Sequence, residues 1–201
     1  MRGFVLFGLV LVGTTSYAQD DSYGYVGLGA GVFGHAVEIP NEGFPFTISD
    51  NSTATRLFGG WKVNEHLAIE GSFGQTGDLN WSGAVFVGNS TGVFGPDPGV
   101  TLDAVARADW TIATLSVLGH INWFFAGVGW YELDGSFVFD ADCSCGPGVF
   151  NIANDSSTSD FLFTLGAQWS FERWAIRGQY ELYDTEGTAQ DAIYLGVSLN
   201  F

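Results

Sequence analysis

The side chains able to do chemistry in this chain fall on one face of its alternating segments. Arg56 and Lys62 in residues 55–63, Glu70 in 67–76, and Arg177 and Glu181 in 174–184 each stand opposite a stripe of apolar residues. A period of two is that of a strand whose faces meet unlike surroundings. If the segments close into a narrow barrel, these five charges share its interior. There each must find a partner, because an isolated buried charge costs several kcal/mol. The expectation is an internal network of ion pairs and hydrogen bonds that plugs the lumen. The competing reading of the same residues is a path for protons or ions.

The other reactive residues form no such set. Cys143 and Cys145 stand as Cys-Ser-Cys, where a local disulfide or a bridge between chains fits better than a metal. Two thiols without a nearby His fall short of a zinc site. Asp140 and Asp142 beside them read as a solvated acidic loop. His35, His66 and His120 are placed in separate connections, with His35 apart at the opposite end, so no shared histidine site is expected. His120-Ile121-Asn122 offers no Ser to a general base. No phosphate loop or nucleophile motif is present, no cofactor is called for, and the expectation is a chain that is not an enzyme.

Eight segments carry the alternation: 22–33, 55–63, 67–76, 108–118, 123–133, 160–171, 174–184 and 191–201. Short turns follow the second, fourth and sixth, at 64–66, 119–122 and 172–173. Longer connections follow the others, at 34–54, 77–107, 134–159 and 185–190. Long loops are unusual in a compact domain, whereas short turns at one end and long loops at the other are the rule in outer-membrane barrels. Closure also satisfies every backbone donor and acceptor where water is absent. The last segment puts Ile193, Leu195, Val197, Leu199 and Phe201 on one face, and Trp61, Trp123, Phe124, Phe171 and Trp174 cluster at the turn end as an interfacial girdle does. Trp130 and Tyr131 are assigned to the opposite girdle. The fold expected is all-β, an eight-stranded antiparallel up-and-down transmembrane β-barrel.

Residues 1–18 have the form of a secretory signal peptide, with Arg2, an apolar run over 4–12, and Ser16-Tyr17-Ala18 before the cut. That run is too short for a membrane helix of about 20 residues. Residues 19–201 form the barrel domain. With 22 acidic against 6 basic residues and a net charge of −16, the chain has no electrostatic footprint for nucleic acid.

The segments YGYVGLGAGVFG, LFGGWKVNEHLAIEGSFGQTGD, LGAQWSFERWAIRGQYELYD and DAIYLGVSLNF resemble the OmpA-like family of eight-stranded outer-membrane barrels. The glycine-rich first strand, Glu70, the Arg177-x-x-x-Glu181 spacing and the terminal Phe201 carry the likeness across most of 22–201. The resemblance implies that Glu70 and Arg177 belong to an interior charge network, and that the barrel-assembly machinery reads the strand ending at Phe201. The peptidoglycan-binding domain of many relatives is not seen after the barrel.

The function expected is a structural or surface-display role in the bacterial outer membrane. The partners expected are outer-membrane lipids, lipopolysaccharide and a host or extracellular ligand met through the loops. A narrow pore for small molecules is the first alternative, and a lipid-modifying barrel enzyme the second.

Overall fold

Alternation that persists over so much of a chain needs a sheet with no free ends, and the computed structural model supplies one. The structure describes residues 22–39, 46–87, 100–142, 149–185 and 188–201. Within them run β1 (Tyr23–Ile39), β2 (Phe46–Asn64), β3 (Leu67–Thr76), β4 (Leu79–Val87), β5 (Val100–Ile121), β6 (Phe124–Asp142), β7 (Val149–Phe171), β8 (Trp174–Thr185) and β9 (Thr188–Asn200). All pairings are antiparallel, and β1–β9 and β3–β5 close the ring. β3 and β4 share one place in it. β3 pairs with β5 from Leu67↔Gly119 to Gln75↔Thr111, and β4 pairs with it from Leu79↔Ala108 to Val87↔Val100. Eight strand positions therefore enclose the lumen, as small barrels filled by their own side chains do.

The turns Glu65-His66, Asn122-Trp123 and Glu172-Arg173 close the lower end of the wall. Asn122 and Glu172 take φ of 57° and 47°, the left-handed conformation that lets two residues reverse a twisted ribbon. Three connections expected to be long loops are largely strand. β1 and β2 reach Ile39 and Phe46, β4 and the start of β5 lie within 77–107, and β6 and β7 reach Asp142 and Val149.

The reason lies in which face carries the apolar residues. On β5, Leu115 and Val117 point outward and are exposed, whereas higher up Ala104, Ala106, Ala108, Trp110 and Ile112 point inward and are buried. On β6, exposed Val128 and Trp130 give way to buried Tyr131, Leu133, Phe137 and Phe139. The β5–β6 pairing runs from Ile121↔Phe124 to Asp103↔Asp142 without a register shift. The backbone continues unchanged while the apolar parity inverts. Below the inversion the barrel is apolar outside and holds charged and polar side chains inside, among a few apolar ones such as Phe58, Leu118 and Phe125. Above it the wall is that of a water-soluble sheet, apolar inside and polar outside.

Two glycines make the lower interior possible. A Cβ on Gly27 would collide with the Phe58 ring, and one on Gly166 with the Phe125 ring. Their absence lets both rings turn into the lumen.

Candidate functional site

The lower lumen holds a chain of four charges. Arg56 comes from β2, Glu70 from β3, and Arg177 and Glu181 from one face of β8. All four are at most 5% exposed. Arg177 Nη1 donates to Glu70 Oε2, and Arg56 reaches Glu70 Oε1 at 3.2 Å and Glu181 Oε1 at 2.6 Å. The signs alternate and sum to zero, so the desolvation of each ion is offset by a partner. Neutral groups complete the carboxylates: Tyr25 Oη donates to Glu70 at 2.8 Å, while Gln179 Nε2 and Tyr183 Oη donate to Glu181 at 2.7 and 2.6 Å. Phe58 and Phe125 face the Arg177 guanidinium, each with its ring centroid 4.6 Å away. A planar cation between two ring faces gains attraction without hydrogen bonds.

Lys62 lies lower on the same inner face, its ammonium 5.6 Å from the Tyr23 ring, and stands outside this chain of ion pairs. The five charges assigned from the sequence thus divide into four in contact and one apart.

Above the charges the lumen is filled by Phe33, Leu79, Trp110, Tyr131, Leu133, Phe137, Phe139, Leu162 and Tyr183. Tyr183 joins the two tiers, since its hydroxyl holds Glu181 while its ring packs on Phe33 at 5.6 Å and edge-on against Tyr131 at 5.2 Å. Tyr131, assigned above to an outer girdle, is fully buried and points inward, with its hydroxyl on the Asp184 carbonyl. Trp130 is the exposed one of the pair.

The structure also pairs two residues that sequence reasoning left apart. His35 Nε2 and Ser52 Oγ are 2.6 Å apart across β1 and β2. Burial pushes the His35 pKa down to about 4, while Asp50 opposite pulls it up. The two-residue offset between facing inward positions was the available signal, but both lay in a stretch read as loop. Ser–His contact is one part of a nucleophile. Here both side chains are buried, and among the described residues Ser52 partners Nε2 while Nδ1 has no hydrogen bond. His66 and His120, assigned to separate turns, are backbone neighbours, with His120 N–H donating to the His66 carbonyl at 2.8 Å. Their rings diverge, His66 to Glu65 at 3.2 Å and His120 to Phe125 at 5.5 Å. Among the described residues no three His, Cys, Asp or Glu are placed to hold a metal. Cys143 and Cys145 lie outside the described residues, as do residues 1–18, expected from the sequence to be a signal peptide.

The outer face carries a belt of exposed apolar side chains, including Leu28, Leu57, Ile69, Phe73, Leu115, Val128, Phe163, Leu165, Leu195 and Val197. The run from Ile193 to Phe201 covers roughly 30 Å along its strand, or about 23 Å of height at a tilt of about 40°. Phe201 ends it, its backbone exchanging hydrogen bonds with Gly24 at 2.9 and 3.0 Å. Trp61, Trp123, Trp169 and Trp174 stand exposed along the lower rim. Above the belt the outward residues include the charged Asp103, Arg107, Asp109, Glu132, Asp134, Asp155 and Asp184, all exposed, alongside Val105, Ser157 and Ser159.

No protein-family model and no curated protein matches the chain. Among solved structures, the chain is similar to Ail, the attachment invasion locus protein of Yersinia pestis, with 15% identity, 89% of this chain and 99% of that one covered, and a TM-score of 0.48. It is similar to Neisserial surface protein A at 12% identity, with 89% and 97% covered and a TM-score of 0.40. A third is the N-terminal β-barrel domain of Pseudomonas aeruginosa OprF, at 12% identity, with 90% and 98% covered and a TM-score of 0.38.

Proposed function

We propose that the chain spans a bacterial outer membrane and works by display at the surface rather than by conduction. One observation carries this reading: the interior is filled at both levels while the wall rises past the apolar belt. A band about 23 Å high of exposed aromatic and aliphatic side chains suits hydrocarbon and would be a liability in water. Inside it, Arg56, Glu70, Arg177 and Glu181 pair with each other, and over them sits a packed aromatic core. Paired charges below and packed rings above both work against the passage of hydrated ions.

The presented surface is the outside of the upper wall, polar and predominantly acidic, together with the connections above it. Such a surface favours a basic partner, or lipopolysaccharide bridged through divalent cations. Ail is described in complex with the heparin analogue sucrose octasulfate. That polyanion is not carried over, because the exposed acids here would repel it. Export through a signal peptide over 1–18 and recognition of the Phe201 strand by the barrel-assembly machinery belong to the same proposal.

Fractionation and planar-bilayer recording test it together. The expected outcome is recovery with the outer membrane, slower or faster migration on unboiled than on boiled gels, and no unitary conductance from the purified barrel. Discrete current steps would replace display by a pore. Recovery in a soluble fraction would remove the membrane assignment.

A further inference from the structure

Below the end of β6 the wall is incomplete. The β6–β7 pairing stops at Phe124↔Ala167, while β7 runs on to Phe171. Residues 168 and 170 direct their backbone groups to the same side of β7, toward β6. The Gln168 N–H uses the last available carbonyl, that of Trp123, at 2.7 Å. Ser170 lies past it and borders a cleft of about 310 Å³ lined by Asn122, Trp123, Gln168, Trp169 and Ser170.

The lining has an unusual composition. Trp123 and Trp169 converge at 59° with centroids 5.9 Å apart, each backed by a stacked phenyl ring, Phe124 and Phe171. Beside the paired indoles lie two carboxamides and a hydroxyl, with Gln168 Nε2 donating to Ser170 Oγ at 3.3 Å. No charged side chain lines it. Indole faces attract an ammonium group more strongly than other rings do. The hydroxyl, the amides and the open β7 edge are donors for phosphate or ester oxygens, and nothing supplies a positive charge for a purely anionic group.

We propose that this cleft seats the headgroup of an amine-bearing zwitterionic phospholipid from the leaflet at the lower rim. The proposal rests on the membrane reading above. The ammonium lies against Trp123 and Trp169, and the phosphate accepts from Ser170, Asn122 and Gln168. The other rim tryptophans, Trp61 and Trp174, anchor the barrel without lining the cleft.

The test is native mass spectrometry of the full chain released from nanodiscs containing equal phosphatidylethanolamine and phosphatidylglycerol. The expected result is one retained phosphatidylethanolamine, favoured over phosphatidylglycerol by at least fivefold. Trp123→Leu and Trp169→Leu should abolish that preference, and Trp61→Leu should keep it. Folding of each variant is checked by the unboiled-gel shift. Should either Trp variant misfold, Ser170→Ala is expected to lower the preference at least twofold. Equal retention of the two lipids by the wild type would overturn the proposal and leave generic interfacial anchoring, as would equal losses in the cleft and Trp61 variants. A barrel that does not enter nanodiscs at all would overturn the membrane reading along with it.

Discussion

Arg177 is held on one edge by Glu70 and on its faces by Phe58 and Phe125. Removing one member of such a pair leaves its partner buried and alone, whereas removing both with similar volumes leaves no charge behind. Glu70→Gln and Arg177→Met should each cost about 3–5 kcal/mol, and the double variant much less than their sum. Urea titrations of lipid-reconstituted protein measure the cycle, and strictly additive costs would show the two uncoupled. Because Glu70 also holds Arg56, Glu70→Gln should be the more damaging single change. His35 provides a separate residue-scale test above the belt. Its folded pKa of about 4 lies below the ordinary 6.5, so the fold selects the neutral ring. The stability that depends on it is complete above pH 6.5 and falls as the pH drops toward 4, by on the order of 2 kcal/mol. His35→Asn should flatten that part of the pH profile of the unfolding midpoint.

At the scale of the strand, the inversion of apolar parity marks where the exposed apolar belt ends. It also explains what could be read from the sequence. Alternation with Leu, Val, Ile and aromatic residues on one face identified the lower wall and its three tight turns, and the inward position of Arg56, Glu70, Arg177 and Glu181 followed from counting by two. Which arginine meets which glutamate did not, because that depends on register around the ring. The upper wall was read as loop because its outward face is Asp, Ser, Thr and Asn and its inward face, on β5, is largely alanine. Nothing in Ala104–Ala106–Ala108 announces a strand until a neighbour covers it. Tyr131 went to the wrong face for the same reason: it is the first residue past the inversion on β6. A lysine placed at three positions checks the boundary. Leu115→Lys, in the belt, should cost about 2–4 kcal/mol. Glu132→Lys, outward above it, should change stability by no more than about 0.5 kcal/mol. Ala106→Lys, inward above it, should be the worst of the three, because it buries an unpaired ammonium in an apolar core. Similar losses at Leu115 and Glu132 would mean that the belt extends higher than drawn here.

Taken whole, the molecule joins two interiors of opposite character in one continuous hydrogen-bonded wall. The lower interior is held by paired ions, the upper by apolar packing, and Tyr183 and Tyr194 belong to both. Both kinds of cohesion weaken on cooling, the apolar one because its driving force fades and the ionic one because desolvating paired charges costs more as the temperature falls. What separates the two tiers chemically is the hydroxyl that bridges them. Tyr183→Phe keeps the ring against Phe33 and Tyr131 and removes the donor to Glu181. Amide exchange should then quicken in the strands around Glu70 and Arg177, while Ala104–Ile112 and Leu133–Phe139 keep their protection. Uniform change along β5 and β6 would refute the division. A wall made of two such halves can loosen at one end while the other stays closed.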